Sequence, residues 1–112
     1  MYNSTHNTFS TENKYFHHRL YRESCLNVEG NFLKDLNVLG RDLSKTILVD
    51  NSPHAFGYQV DNGIPIESWF DDPNDKELLK LEKFVRQLPT DDVRQCVRAK
   101  FQCHKLIANA EL

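Results

Sequence analysis

Thr46-Ile47-Leu48-Val49-Asp50-Asn51-Ser52-Pro53, the run TILVDNSP, decides how this chain folds. Its first four residues are β-branched or aliphatic, with no polar alternation beyond Thr46. That pattern suits a strand buried on both faces of a parallel sheet. The strand predicted over Thr46–Val49 then stops abruptly at an acid, an amide, a serine and a proline. A hydrophobic strand with Asp50 and Asn51 at its carboxyl end sets oxygen groups at the mouth of an open α/β sheet, where such folds bind ligands. Upstream, in NFLKDLNVLGRDLSK, stands Lys34. A lysine, an Asp-Asn pair and a buried strand are parts of a phosphate and magnesium site. Read alone, Asp50-Asn51 is equally a strand-end turn, because Asn, Ser and Pro all favour turns. Lys34 alone reads as a solvated lysine.

Outward from this strand the pattern alternates. Met1 to Asn13 is rich in Ser, Thr and Asn, which predicts a disordered lead-in over 1–13; its Asn3-Ser4-Thr5 matches a glycosylation sequon by chance. Tyr15 to Cys25 alternates loosely and predicts a strand. Glu29-Gly30-Asn31 is a turn signal. Phe32, Leu33, Leu36 and Leu39 fall near helical spacing before Gly40, predicting a short helix or helical turn. Asp61-Asn62-Gly63 turns the chain into Ile64-Pro65-Ile66, an edge-type strand because proline cannot donate to a ladder. Asn74 or Asp75 caps a helix through about Leu88, with Leu78, Leu81, Val85 and Leu88 as its core stripe, broadened by Phe84. Pro89 ends it, and Thr90-Asp91-Asp92 caps a second helix bearing Val93, Val97 and Phe101. The acidic run Asp71-Asp72-Asn74-Asp75 lacks the glycine and terminal Glu of a calcium loop and reads as capping.

The alternation argues for an α/β fold with a parallel sheet. Only about three strand segments are legible, where a doubly wound sheet uses about five. The 112 residues suffice for one small domain, and 39% apolar content supports a lean core. A net charge of −2 gives no general drive toward nucleic acid or membrane. Cys25, Cys96 and Cys103 are odd in number and lack CxxC spacing, which reads as buried thiols in a reducing compartment. His17-His18 and Cys103-His104 have no partner at metal-ligand spacing.

Four strings in order, HRLYRESC (18–25), NFLKDLNVLGRDLSKTILVDNSP (31–53), NGIPIESWFDDPNDKELLKLEKF (62–84) and DDVR (91–94), resemble the C-terminal half of the small CTD phosphatases of FCP/SCP type. These belong to the haloacid dehalogenase superfamily. The resemblance covers roughly residues 15–107. It implies the C-terminal portion of a HAD-like Rossmannoid parallel sheet with two C-terminal helices, a partial domain over 14–109 and a tail over 110–112. It implies magnesium-dependent hydrolysis of phosphoserine or phosphothreonine in a protein substrate, with the RNA polymerase II C-terminal tail as a candidate. It further implies no direct contact with nucleic acid or membrane and an intracellular location, nuclear or cytosolic. Carried onto this sequence, Lys34 matches the lysine that stabilises phosphoryl charge. Asp50 and Asn51 match the pair that completes the magnesium site, and Arg22 matches an arginine that reaches the substrate phosphopeptide.

The family's reaction begins with the first Asp of an Asp-x-Asp motif as nucleophile and the second as general acid. No two aspartates here are spaced by two. The expectation is therefore an N-terminally truncated phosphatase domain, inactive alone. The alternative is a non-catalytic fragment that binds phosphopeptide or regulates.

Overall fold

A computed structural model describes residues 15–110. The lead-in expected over 1–13, with its sequon, and the last two residues of the expected tail lie outside the described residues.

The deciding run does form a parallel strand pair. β3 (Leu48–Asp50) runs beside β4 (Gly63–Pro65), with Leu48 opposite Gly63, Val49 opposite Ile64 and Asp50 opposite Pro65. The Ile66 amide donates to the Asp50 carbonyl at 3.1 Å and extends the ladder past the proline. The strand starts later than its composition predicts. Asp42 caps a 3-10 turn over Leu43–Lys45 by accepting from the Ser44 amide. The Thr46 hydroxyl donates to the Asp42 carbonyl at 2.8 Å, so Thr46 closes that turn instead of opening the strand.

Period-two alternation then sorts the strand's faces. Ile47 and Val49 pack on the core of Ile64, Val93 and Val97. Leu48 and Asp50, of opposite parity, line a cavity. Hence β3 is half-buried and not sealed on both faces as its composition suggests.

Ahead of β3 the chain makes an antiparallel hairpin, β1 (Leu26–Val28) and β2 (Asn31–Leu33). Glu29 and Gly30 form its two-residue turn with φ of 54° and 84°. Positive φ at both positions is the twist-compatible hairpin geometry, and glycine accepts it without strain. The Gly30 amide donates to the Asn27 side chain at 3.2 Å. The strand expected over residues 15–25 is therefore displaced: Arg22–Ser24 is a 3-10 turn, and extended pairing begins at Leu26. Phe32 and Leu33 sit in β2, and the expected helical turn is confined to Leu36–Leu39. It ends as foreseen at Gly40, in the left-handed region with φ 64°.

Three helices follow instead of the two expected. α1 is Glu77–Arg86, and Asp75 accepts from the Glu77 amide at 3.0 Å. α2 is Arg94–Phe101, started by Asp92 accepting from the Arg94 amide. At Gln102 the backbone turns left-handed, φ 52°, and α3 (Cys103–Ala110) leaves in a new direction. The face of α1 also differs from its sequence stripe. Leu81, Phe84 and Leu88 reach the core, while Leu78 and Val85 are exposed. Phe84 meets Phe101 edge to face, centroids 5.1 Å apart, which is a favoured aromatic arrangement.

Candidate active site at the end of β3

The cavity on the far side of β3 measures about 600 Å³. Its wall includes Arg22, Lys34, Asp50 and Asn51, so the four residues singled out in the sequence come to one place. Each arrives from a different element. Arg22 sits in the 3-10 turn before the hairpin, Lys34 directly after β2, Asp50 at the last position of β3, and Asn51 just beyond it.

Lys34 and Asp50 are paired, with Nζ donating to Oδ2 at 2.6 Å across sixteen residues of sequence. The Asp50 side chain is only 11% exposed, whereas that of Lys34 is 41% exposed. The carboxylate is thus set into the wall and the ammonium opens toward solvent. The other oxygen, Oδ1, accepts from the Ser52 amide at 2.9 Å. Both carboxylate oxygens are therefore oriented, one by a cation and one by the backbone turn that Ser52-Pro53 makes. Charge-assisted bonds of this kind are stronger than neutral ones and fix direction.

Asn51 is exposed, and its Nδ2 donates to the Ser68 hydroxyl at 2.8 Å. That bond uses the amide's donor end and leaves Oδ1 as an acceptor. The Arg22 guanidinium lies over the Phe32 ring, 4.5 Å from its centroid. Cation–π contact of this type holds an arginine flat against the hairpin while its charge stays at the cavity edge.

The backbone around Lys34 is tied to the segment that follows Asp50. The Lys34 amide donates to the Ala55 carbonyl at 3.2 Å. Gln59 reaches back with both ends of its carboxamide. Its Oε1 accepts from the Leu36 amide and its Nε2 donates to Asp35 Oδ1, each at 2.8 Å. Ser52, Ser68 and Gln59 were not singled out in the sequence. Ser52 was detectable as part of the turn; Ser68 and Gln59 act across 17 and 24 residues, and no local pattern announces them.

Among the described residues no three His, Cys, Asp or Glu side chains gather as a metal site. Asp35 and Asn31 stand elsewhere on the cavity lining, while at the end of β3 its wall sets one carboxylate, Asp50, beside one amide oxygen, that of Asn51. These are hard oxygen donors, and magnesium binds through one or two carboxylates while keeping several waters, so the donor chemistry fits that ion as a partial ligand set. The acidic run before α1 is occupied with turns, Asp72 accepting from the Asn74 amide and Asp75 from Glu77.

Comparison with known proteins places the chain in a family. The sequence matches the family model of NLI interacting factor-like phosphatases over residues 2–95. CTD small phosphatase-like protein 2 of Dictyostelium discoideum is 60% identical over 94 residues, which is 83% of this chain and 17% of that protein. CTD small phosphatase-like protein 3 of Caenorhabditis elegans is 58% identical over 87 residues, 76% of this chain and 30% of that protein. The human carboxy-terminal domain RNA polymerase II polypeptide A small phosphatase 1 is 46% identical over 84 residues, 74% of this chain and 32% of that protein. The chain spans less than a third of the length of each of these relatives. By the family match and these identities, the chain belongs to the NLI interacting factor-like phosphatases.

Proposed function

We propose that this chain supplies the lysine and metal-binding part of the active site of a magnesium-dependent protein phosphatase acting on phosphoserine or phosphothreonine. The observation that carries it is the Lys34–Asp50 pair at 2.6 Å in the wall of the cavity at the end of β3. In this reading Asp50 and Asn51 hold magnesium, which when bound shields the phosphate charge so that an anionic carboxylate can approach. Lys34 presents a compact cation to the phosphoryl oxygens, and the charge it meets grows as the phosphorus is attacked. Arg22, at the cavity edge, meets the phosphopeptide. The surrounding fold is a HAD-like Rossmannoid sheet of which residues 14–109 form part.

The nucleophile and the general acid come from an Asp-x-Asp segment that these 112 residues do not contain. Covalent catalysis requires both a positioned nucleophile and a proton for the leaving serine oxygen. The 112 residues alone therefore do not hydrolyse phosphorylated peptide. The human relative's name supports the RNA polymerase II tail as a substrate, and the phosphoprotein chemistry suits a nuclear or cytosolic location.

The test is a chimaera in which residues 15–110 replace the matching segment of the Dictyostelium relative. Lys34→Ala and Asp50→Ala should each lower turnover of a phosphoserine peptide about a hundredfold or more, the usual cost of losing one such electrostatic group. Near-wild-type turnover in either variant removes that residue from the site. The 112-residue chain by itself should not turn over an aryl phosphate with or without magnesium. Magnesium-dependent turnover that Asp50→Ala abolishes would overturn the division of labour.

A further inference from the structure

Lys34 stands on a short stretch with no regular structure of its own, between the end of β2 and the 3-10 turn at Leu36. A long side chain on such a stretch delivers its ammonium only as accurately as its backbone is held. Apart from the turn bonds that Asn37 and Val38 make to Asp35 and the ion pair itself, three hydrogen bonds hold residues 34–36 to residues 55–59, beyond Asp50 in the chain. One is the Ala55 carbonyl to the Lys34 amide; the other two belong to the Gln59 side chain. Gln59 spends its acceptor on the amide of buried Leu36 and its donor on Asp35. Asp35 Oδ1 in turn accepts from the Asn37 amide at 3.0 Å, which caps the 3-10 turn.

From this geometry we propose that Gln59 is a positioning residue for Lys34. Its carboxamide clamps the Asp35–Leu36 backbone so that the lysine meets Asp50. Gln59 does not touch the ion pair in the described structure; its effect passes through residues 35 and 36. The inference rests on Lys34 having the role given above, and it adds the device that aims it. Glutamine suits the task because one side chain must both accept and donate. Glutamate keeps the acceptor for Leu36 but sets a second carboxylate against Asp35. Alanine leaves the Leu36 amide without its partner, and a buried unpaired donor forces the backbone to shift.

Two measurements decide it. In the phosphatase chimaera, Gln59→Ala should lower kcat about ten- to a hundredfold, the usual effect of a misplacement near 1 Å. In a Lys34→Ala background the same change should cost almost nothing, since coupled residues are non-additive. Gln59→Glu should be impaired like Gln59→Ala, because a carboxylate has no donor for Asp35. Equal losses from Gln59→Ala with and without Lys34 would overturn the proposal. Full activity of Lys34→Ala would instead remove the lysine's role and leave the Gln59 result separately readable.

The second measurement uses the same chimaera and needs no turnover. In low-temperature NMR of lysine-labelled protein, the Lys34 ammonium protons should give a slowly exchanging signal because Asp50 holds them. Asp50→Ala, which removes the partner, identifies that signal by its loss. Gln59→Ala should weaken or remove it and speed exchange of the Leu36 amide. An unchanged ammonium signal in Gln59→Ala, or one unaffected by Asp50→Ala, would sink the inference.

Discussion

Asp50 carries two duties on one register position. Its carbonyl accepts from Ile66 in the parallel ladder, while its carboxylate holds Lys34 and the Ser52 amide. Changing it to alanine leaves the backbone pairing intact but strips Lys34 of its counter-charge, so the expected loss is in the site and only modestly in the fold. Elsewhere, two exposed carboxylates contribute to the response to acid. Hydrogen bonds from the Ser44 side chain and backbone hold Asp42 below its ordinary value of 3.8, and those from the Arg94 side chain and backbone do the same for Asp92. A depressed carboxylate stabilises the fold above its unfolded value, and that contribution is lost as pH falls through the folded value. Stability should therefore drop as the pH is taken below about 4. Asp92→Asn should flatten part of that drop, as read by circular dichroism across an acid titration. Cys103 behaves in the opposite sense. Burial pushes its thiol up, and its Sγ lies 3.2 Å from the Gly63 carbonyl. It should resist alkylation at neutral pH in the folded chain while Cys25 and Cys96, both partly exposed, react first. Mass spectrometry of briefly alkylated protein would show the order, and early labelling of Cys103 would contradict it.

Among the elements, the approach to β4 is the most tightly specified. Asn62, 3% exposed, donates through Nδ2 to the carbonyls of Leu43 at 2.7 Å and Thr46 at 2.8 Å, tying the turn before β3 to the turn before β4. Asn62→Ala should cost about 2–4 kcal/mol, because two carbonyls lose their donor at once. Next to it, a Cβ on Gly63 would come within 2.5 Å of the ring of fully buried Phe56, so Gly63→Ala must displace that ring or β4. Denaturant melts of both variants would check this, and wild-type midpoints would contradict it. The sequence announced the elements governed by local chemistry. The Glu29-Gly30 turn, the Gly40 stop, the Asp75 and Asp92 caps and the apolar strand before Asp50 all follow from residues within a few positions of one another. What it left illegible depends on distant partners. Leu78 and Val85 match the helical period of α1 as well as Leu81 and Leu88 do; only the location of Val93, Val97 and Ile64 decides which side is covered. The break at Gln102 gave no signal either, since glutamine is a good helix former and its positive φ is imposed by the surrounding fold. The site divides the same way. Asp50 and Lys34 were legible from residue type and context, whereas Gln59 and Ser68 reach their partners Leu36 and Asn51 over long sequence distances.

At the scale of the whole molecule, the core is thin for the surface it must organise. Of the large side chains, Phe56, Ile64, Val97 and Cys103 are fully buried, while Leu20, Leu26, Val38, Trp69, Phe70 and Leu78 are among the apolar residues left exposed. β3 has β4 on one edge and, among the described residues, no strand on the other. Leu36 and Leu48 line the cavity on the strand's other face. An unpaired strand edge is a template for pairing with another chain. The strands are three residues each, and two-stranded sheets are marginal without further support. α2 is better placed, with Val97 fully buried and its amide bonded to the Val93 carbonyl at 3.0 Å. The isolated chain should therefore be aggregation-prone or partly unfolded, with its helical segments the most persistent. In hydrogen exchange, the Val97 amide should be protected longest, followed by the α1 residues whose side chains pack on it, and the amides of Ile47, Leu48 and Val49 should exchange faster. Adding a strand along the open edge of β3 should slow their exchange and raise the melting temperature, because it supplies both ladder bonds and cover for the cavity. A monomer with a sharp cooperative melt and strong protection across Ile47 to Val49 would instead show that one neighbouring strand and one packed face are enough to hold β3 in place.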